Sequence, residues 1–531
     1  MIGSKHISKI SIVLISLTLV ACVLCMVFQK YLINTLSADG QLMEYESKLF
    51  NGEDIIDINI QISADRWDEM LENAISETYY SCDVIINGTE FNNVGIRPKG
   101  NTSLSSVAQD PDNNRYSFKI EFDKFTHGQT CWGLDKLVLN NSFSDSTNMK
   151  EALVYDMFKY LGADAPLYNY AKLSVNGEYF GVYLALEAVE ESFMLRNYAS
   201  KSGHIYKPDS MNMGGALKGN IKMPEQMGAA PFPAPDQIPA FEQMPEAVKP
   251  ENRLPLQKSG DMQFPEGKGD RKGFMGRGGG ADLNYIDDSL DSYYAIWDGA
   301  ITSSSDGDHL RIIQALKNSS ENPEDYLDVD NLLKYMAVHN FVVNDDSLSG
   351  NMAHNYYLYE EYGKLNIIPW DYNFAFGSMG RGDASDVVNR PIDDSYESTT
   401  LFDVFLNNEE YLSQYHRYYN QLVEEYLLGG RFEETYKKIR ETIDDLTKSD
   451  PNSNYTYEQY TNGCNTLYNL IMLRAQSVKG QLAGDIPSTT QGRAASPDSL
   501  VDASSIDVSV TGTFGGGRPQ DFDRKQREVS P

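Results

Sequence analysis

One stretch restricts the fold more than any other: NFVVNDDSLSGNMAHNYYLYEEYGKLNIIPWDYNFAFG, from Asn340 to Gly377. Leu332, Leu333, Met336, Ala337 and Phe341 recur at helical spacing and lead into a polar loop carrying Asp345 and Asp346. The pattern then alternates from His354 to Glu360, turns at Gly363-Lys364, and resumes from Leu365 to Pro369 before ending in Trp370-Asp371. An antiparallel pair returns the chain to its starting end, so acidic groups just before the first strand and just after the second meet there. Two carboxylates and the amide of Asn355 in one space make an oxygen-rich site suited to Mg²⁺. An Asp-rich loop more often satisfies its own backbone and faces water, which accounts for Asp345 or Asp346 taken singly. It accounts poorly for Asp371, set between Trp370 and the Phe374/Phe376 run, where an unpaired buried charge is costly.

Upstream, Asp54 to Ile60 alternates as a strand, and Ser63 opens a helix that turns Trp67, Met70 and Leu71 inward. Asn87-Gly88 is a hairpin turn between CDVII and Glu90 to Ile96. GIRPKGNTS and RYSFKIEFDKF follow, which puts Arg97, Lys99 and Lys119 in or beside strands of one small sheet. Phe118 and Ile120 point opposite to Lys119, so its stem crosses apolar surface while its amine reaches a phosphate or a carboxylate. Neither GxGxxG nor GxxxxGK[ST] is present, and on residue type alone Arg97 and Lys99 read equally as solvated surface charges. LDKLVLNN gives a further strand, and NMKEALVYDMFKYLG a helix whose Glu151 either pairs with Lys119 or faces solvent. A hairpin from Tyr168 to Leu186 turns at Asn176-Gly177, and in GHIYKPD beyond it Lys207 is either a phosphate contact or a surface residue.

Residues 210–280 replace periodicity with Met, Pro, Gly and Gln and read as a disordered insertion. Helical periodicity dominates 281–480, and 481–531 reads as a disordered tail. Ile10 to Phe28, an apolar run of 19 residues behind Lys5 and Lys9, is long enough to span a bilayer. It reads as a signal anchor at 10–29 between a short cytoplasmic tail, 1–9, and a linker, 30–51. A cleaved signal peptide and a lipoprotein box at Leu19 to Cys22 compete with the anchor, and each of the three puts the bulk of the chain outside the cytoplasmic membrane. A net charge of −31 argues against nonspecific binding to nucleic acid or to an anionic membrane face. Cys82, Cys131 and Cys464 are too scattered for a metal cluster, and spacing leaves a Cys82–Cys131 bridge open.

In their order, GIRPKGNTS, RYSFKIEFDKF, NGEYFGVYLALEAVEESF, GHIYKPD and the Asn340–Gly377 stretch make the chain resemble the CotH kinase family across residues 52–475, the insertion excepted. The resemblance implies an α+β, atypical two-lobed protein-kinase-like fold, with an N-terminal sheet lobe in 52–209 and a helical C-terminal lobe in 281–480. It implies phosphorylation of Ser or Thr hydroxyls on extracytoplasmic, envelope or spore-coat proteins, using ATP and Mg²⁺ with Mn²⁺ as an alternative. Carried over residue by residue, Lys119 is the nucleotide-phosphate lysine, Asp346 the catalytic aspartate, Asp371 the metal-binding aspartate and Asn355 an asparagine near the metal. Arg97 and Lys99 belong to the loop near the phosphates. The doubled Asp345-Asp346 leaves a one-residue ambiguity, and Asp346 fills the aspartate slot of the family's Asn-x-Asp-Ser pattern at Asn344 to Ser347. The expected location is the cell membrane, single-pass with the catalytic domain outside, or else a lipoprotein, secreted or spore-associated form. The competing class is a noncatalytic envelope scaffold that binds a partner through the insertion. A metal-dependent hydrolase lacks any GxSxG, HExxH or CxxC support. Convergence of Lys119, Asp346 and Asp371 on one cleft separates these readings.

Overall fold

A computed structural model describes residues 40–209, 279–350, 352–379 and 383–514. The expected cytoplasmic tail and signal anchor, and nearly all of the expected insertion, lie outside the described residues. Among the described residues no helix is long and apolar enough to cross a membrane.

The chain is an α+β protein whose first half closes on itself. Strands β1 (Ile56–Gln61), β2 (Tyr80–Ile86), β3 (Thr89–Lys99), β4 (Ser117–Glu121), β5 (Lys136–Asn140), β6 (Tyr168–Val175) and β7 (Glu178–Glu187) form a closed barrel in the order β1-β2-β3-β4-β5-β7-β6. Its tight turns are at Asn87-Gly88 and Asn176-Gly177, where both residues of each pair hold positive φ, as a two-residue hairpin turn demands. Every neighbouring pair is antiparallel except the closing one: β1 lies parallel to β6, with Ile56 beside Ala171. The simple sheet lobe expected from the alternating segments is therefore a barrel, because β1 has hydrogen-bonding edges on both sides and both are taken.

Alternation decides what faces inward. Ile58, Ile60, Ile96, Phe118, Ile120 and Leu139 fill the barrel together with Trp67, Met70 and Leu71 from helix α2 (Ala64–Glu72). Part of the expected linker joins this core, since helix α1 (Glu44–Leu49) buries Tyr45 and Leu49 against it. On the outer surface, Val138, Leu184 and Leu186 belong to a second core built with the helices. Strand β7, and β5 through Val138, thus contribute to both cores, and the barrel joins the helical half along them.

The second half holds a three-stranded sheet, β8 (His204–Tyr206), β9 (Tyr356–Glu361) and β10 (Lys364–Pro369), in the order β10-β9-β8. The β9–β10 turn falls at Tyr362-Gly363, both with positive φ, one residue earlier than the Gly363-Lys364 expected from composition. The helices include α3 (Lys150–Leu161), α4 (Val329–Val342), α5 (Glu409–Asn420), α6 (Arg431–Ser449) and α7 (Tyr457–Ala483), and α4 packs on β10, α3 and α5. A buried ion pair ties the halves: the Arg115 Nη1 lies 2.6 Å from Asp450 Oδ2, and its other nitrogens donate to the carbonyls of Asn141 and Val182. Cys82, Cys131 and Cys464 are free thiols, so the Cys82–Cys131 bridge is absent.

The disordered tail expected from residue 481 is corrected over its first 34 residues. Helix α7 runs to Ala483, Thr489 caps a short helix at Thr490–Ala495, and the chain continues as ordered structure to Phe514 with Val508 and Thr511 buried. This segment anchors through backbone carbonyls rather than through an apolar stripe, so no periodicity announces it.

Candidate active site

Three elements meet where the outer face of the barrel reaches the helical half. Strand alternation puts Arg97 and Lys99 of β3 on the outside, since Ile96 points into the barrel, and Lys119 of β4 is the cross-strand partner of Arg97. On β5 the same face carries Lys136, Val138 and Asn140. The first turn of α3 contributes Glu151, and the residues around β8 and β10 contribute Lys207, Trp370 and Asp371.

Lys99 and Glu151 are joined through an asparagine. Lys99 Nζ donates to Asn140 Oδ1 at 3.0 Å, and Asn140 Nδ2 donates to Glu151 Oε2 at 2.8 Å. The expected Lys119–Glu151 pair is not formed. Lys119 Nζ instead lies 2.5 Å from Glu190 Oε1, and Lys136 donates to the other oxygen of the same carboxylate. The reason is strand geometry: Glu190 follows the end of β7, adjacent to β5, and sits across from both amines, whereas Asn140 stands between the sheet and Glu151. Arg97 is engaged by Glu77 at 2.6 Å and stacks over Tyr79.

Asp371 is the charge at the centre. Its backbone is left-handed, with φ 62°, directly after the last residues of β10. Burial pulls the Lys99 amine down, and the attraction of Asp371 and then Glu151 opposes it. Burial likewise lowers Lys207 to about 8, with repulsion from Lys99 added and Asp371 opposing. Burial and then the Asp371 charge raise the Glu151 carboxyl to about 7. Both amines lie over the indole of Trp370, Lys99 at 5.5 Å and Lys207 at 5.7 Å.

On the other side of Asp371 stands the loop after α4. Asp346 is buried, with Oδ1 3.0 Å from His354 Nε2, while the Asn355 amide donates to both its backbone carbonyl and its Oδ2 at 2.9 and 3.0 Å. Burial works against charging His354, yet its imidazole is raised, because the hydrogen bond and charge of Asp346, then Asp371 and Asp209, outweigh that cost. Asp345 faces away and is exposed, bound by both terminal nitrogens of Arg390 at 3.1 and 3.0 Å. Beside it opens a cleft of about 630 Å³ whose lining includes Asn344, Asp345, Ser349, Arg390, Asp394 and Thr490; Lys99, Lys119 and Asp371 do not line it.

Of the residues singled out in the sequence, Lys99, Lys207, Glu151 and Asp371 form one electrostatic group, and Asp346 and Asn355 adjoin it through His354. Lys119 borders it as a further positive charge felt by Lys99 and Lys207. Arg97 sits at its edge, turned to Glu77. Residue-by-residue reading missed Asn140, Lys136 and Glu190 as partners and gave His354 no role. The alternation of LDKLVLNN places Lys136 and Asn140 on one face and was the signal available for them.

Among the described residues no three His, Cys, Asp or Glu side chains gather at metal-binding spacing. The Asp371 carboxylate and the Asn355 amide oxygen are ligand types that Mg²⁺ takes. The Asp371 charge adds to burial in raising Glu151 and to Asp346 in raising His354.

A family model described as CotH kinase protein matches residues 96–232 and 284–478. Among curated proteins, inner spore coat protein H of Bacillus subtilis is 22% identical over 366 residues, which cover 68% of this chain and 82% of that protein.

Proposed function

Because the chain belongs to the CotH kinase family, we propose that it is an atypical protein kinase that transfers the γ-phosphate of ATP to Ser or Thr hydroxyls of spore-coat or other extracytoplasmic proteins. The observation that carries this reading is the position of Asp371, whose charge acts on Lys99, Lys207 and Glu151 on one side and on His354, the partner of Asp346, on the other. Buried amines facing a carboxylate supply what phosphoryl transfer needs, namely fixed positive charge for phosphate oxygens beside an acidic centre. In this reading the barrel, within 52–209, is the nucleotide-side lobe of a two-lobed kinase-like domain, and the helical part, within 281–480, is the acceptor-side lobe.

Lys99, Lys207 and Lys119 draw in the phosphates, and Glu190 orients Lys119 in the role that Glu151 was expected to fill. Asp371 and Asn355 would hold Mg²⁺ or Mn²⁺, which would supply neutralising charge for the phosphate oxygens. Asp346 aligns the acceptor hydroxyl and takes its proton; His354 and Asn355 fix the carboxylate's orientation. The name of the Bacillus subtilis relative directs the search for acceptors to the spore coat.

The test is incubation of the purified full-length protein with labelled ATP, Mg²⁺ or Mn²⁺ and candidate coat proteins, beside Asp371→Ala and Asp346→Asn. Metal-dependent label transfer that both substitutions reduce by about 10²-fold or more supports the assignment. Equal labelling by all three proteins rejects the site, and no labelling by the wild type with any coat protein favours the scaffold class.

A further inference from the structure

The family match ends at residue 478, yet the chain beyond it returns to the start of α3 and to the loop that follows Asp371. Asn389, itself buried, clasps Val501 by two bonds: its Nδ2 donates to the Val501 carbonyl, and the Val501 N–H donates to its Oδ1, each at 3.0 Å. Further on, Ser146 donates from its hydroxyl to the Val510 carbonyl at 2.8 Å and from its N–H to the Thr511 carbonyl at 3.1 Å. Then comes a buried node. Lys150, fully excluded from water, donates from Nζ to the Gly512 carbonyl at 2.9 Å and to Ser378 Oγ at 2.7 Å. The Phe514 N–H donates to the Ser378 carbonyl at 2.9 Å, and its ring meets the edge of Phe374 at 5.5 Å.

Ser378 closes the loop that begins at Asp371. That loop is already pinned from one side, because the N–H groups of Phe376 and Gly377 donate to the carbonyls of Val342 and Val343, the two residues at the end of α4 that lead directly into the Asn344–Asp346 turn. The C-terminal segment pins it from the other. Burying an amine is costly, and Lys150 gives its donors to one group of the C-terminal segment, the Gly512 carbonyl, and one of the loop, the Ser378 hydroxyl, rather than to a carboxylate. Its neighbour in sequence is Glu151, so one helical turn holds the loop with one residue and faces Asp371 with the next.

Resting on the kinase reading above, we propose that the segment from Val501 to Phe514 is a positioning strap of the phosphoryl-transfer site, holding the Asp371–Ser378 loop through Lys150 and Ser378. Asp371 is then placed by three separated parts of the chain: α4, the start of α3 and the strap.

Gly512→Ala loosens the strap without touching the loop. Gly512 holds φ 87°, and a Cβ there would lie 2.2 Å from the Ser144 carbonyl oxygen, a backbone atom that cannot swing aside. Ser378→Ala removes one hydroxyl and serves as the mild variant. In the full-length protein without nucleotide, amide exchange of residues 371–378 accelerates about tenfold or more in Gly512→Ala and by less in Ser378→Ala, with the β1–β3 amides unchanged. In active protein the KM for ATP with Mg²⁺ rises about tenfold while kcat falls less. Unchanged loop exchange in both variants overturns the proposal, as does acceleration shared equally by the barrel or a KM that stays at the wild-type value. A wild type that transfers no phosphate while the loop still loosens defeats the kinase reading and leaves the mechanical role of the strap supported.

Discussion

Lys207→Met tests the electrostatics of the site with a stability change of unusual sign. Lys207 follows β8 and lies over the rings of Trp370 and Tyr357, at 5.7 and 5.6 Å. Burial, and next repulsion from Lys99, lower its amine from 10.5 to about 8 despite the attraction of Asp371. Between pH 8 and 10.5 the unfolded chain therefore keeps a proton that the native protein has lost, and native stability rises with pH across that window. Methionine retains the apolar stem and carries no charge at any pH. The variant is consequently the more stable protein below pH 8, by at most about 3.5 kcal/mol at ~1.4 kcal/mol per pH unit, and by about 1–2 kcal/mol once the side chain's partial exposure to water is counted. That advantage disappears as pH climbs through 10.5. Urea unfolding at the two ends of the range measures it. Nucleotide affinity moves the other way: losing a charge-assisted bond of ~1.5–3 kcal/mol raises the KM for ATP about tenfold to a hundredfold. A variant equally destabilised at both pH values, or one that binds ATP as tightly as the wild type, refutes the reasoning.

Asn140→Leu removes the bridge between Lys99 and Glu151 and strands both partners, so it costs about 1–3 kcal/mol in denaturant unfolding and weakens ATP binding in calorimetry. Asp450→Ala leaves the Arg115 guanidinium buried without its carboxylate, and thermal or urea unfolding shows a loss of about 3–5 kcal/mol, with the barrel and helical half losing cooperativity.

Local chemistry was legible in the sequence, and long-range pairing was not. Asn87-Gly88 and Asn176-Gly177 announced their turns because few other residues accept two successive positive φ angles, and the alternation around Lys119 placed its amine outside the barrel. Hairpin geometry put Asp371 beside the Asp345-Asp346 loop, and its facing the basic strands was implied by the family resemblance alone. Which carboxylate would take Lys119 did not follow, since Glu151 and Glu190 are both credible partners in one dimension and only the packing of β5 against β7 selects Glu190. The parallel contact of β1 with β6 left no mark either, because a buried strand reads the same whether its neighbour is near or far in sequence. The segment beyond α7 was misread because its Ser, Gly and Asp residues hold structure through carbonyl contacts, a bonding mode without periodicity.

The parallel β1–β6 seam also bears on how the protein comes off the ribosome. Ile56 is made long before Ala171, its neighbour in the finished seam. At about 5–20 residues/s, a nascent chain carries one bare strand edge for roughly 6–23 s before its mate emerges. An unsatisfied edge of alternating isoleucines invites pairing with other chains. Production of the intact protein should therefore be sensitive to holdase supply and to translation speed over codons 60–175, while a fragment ending before β6 should be trapped in aggregates however well its helices are supplied in trans.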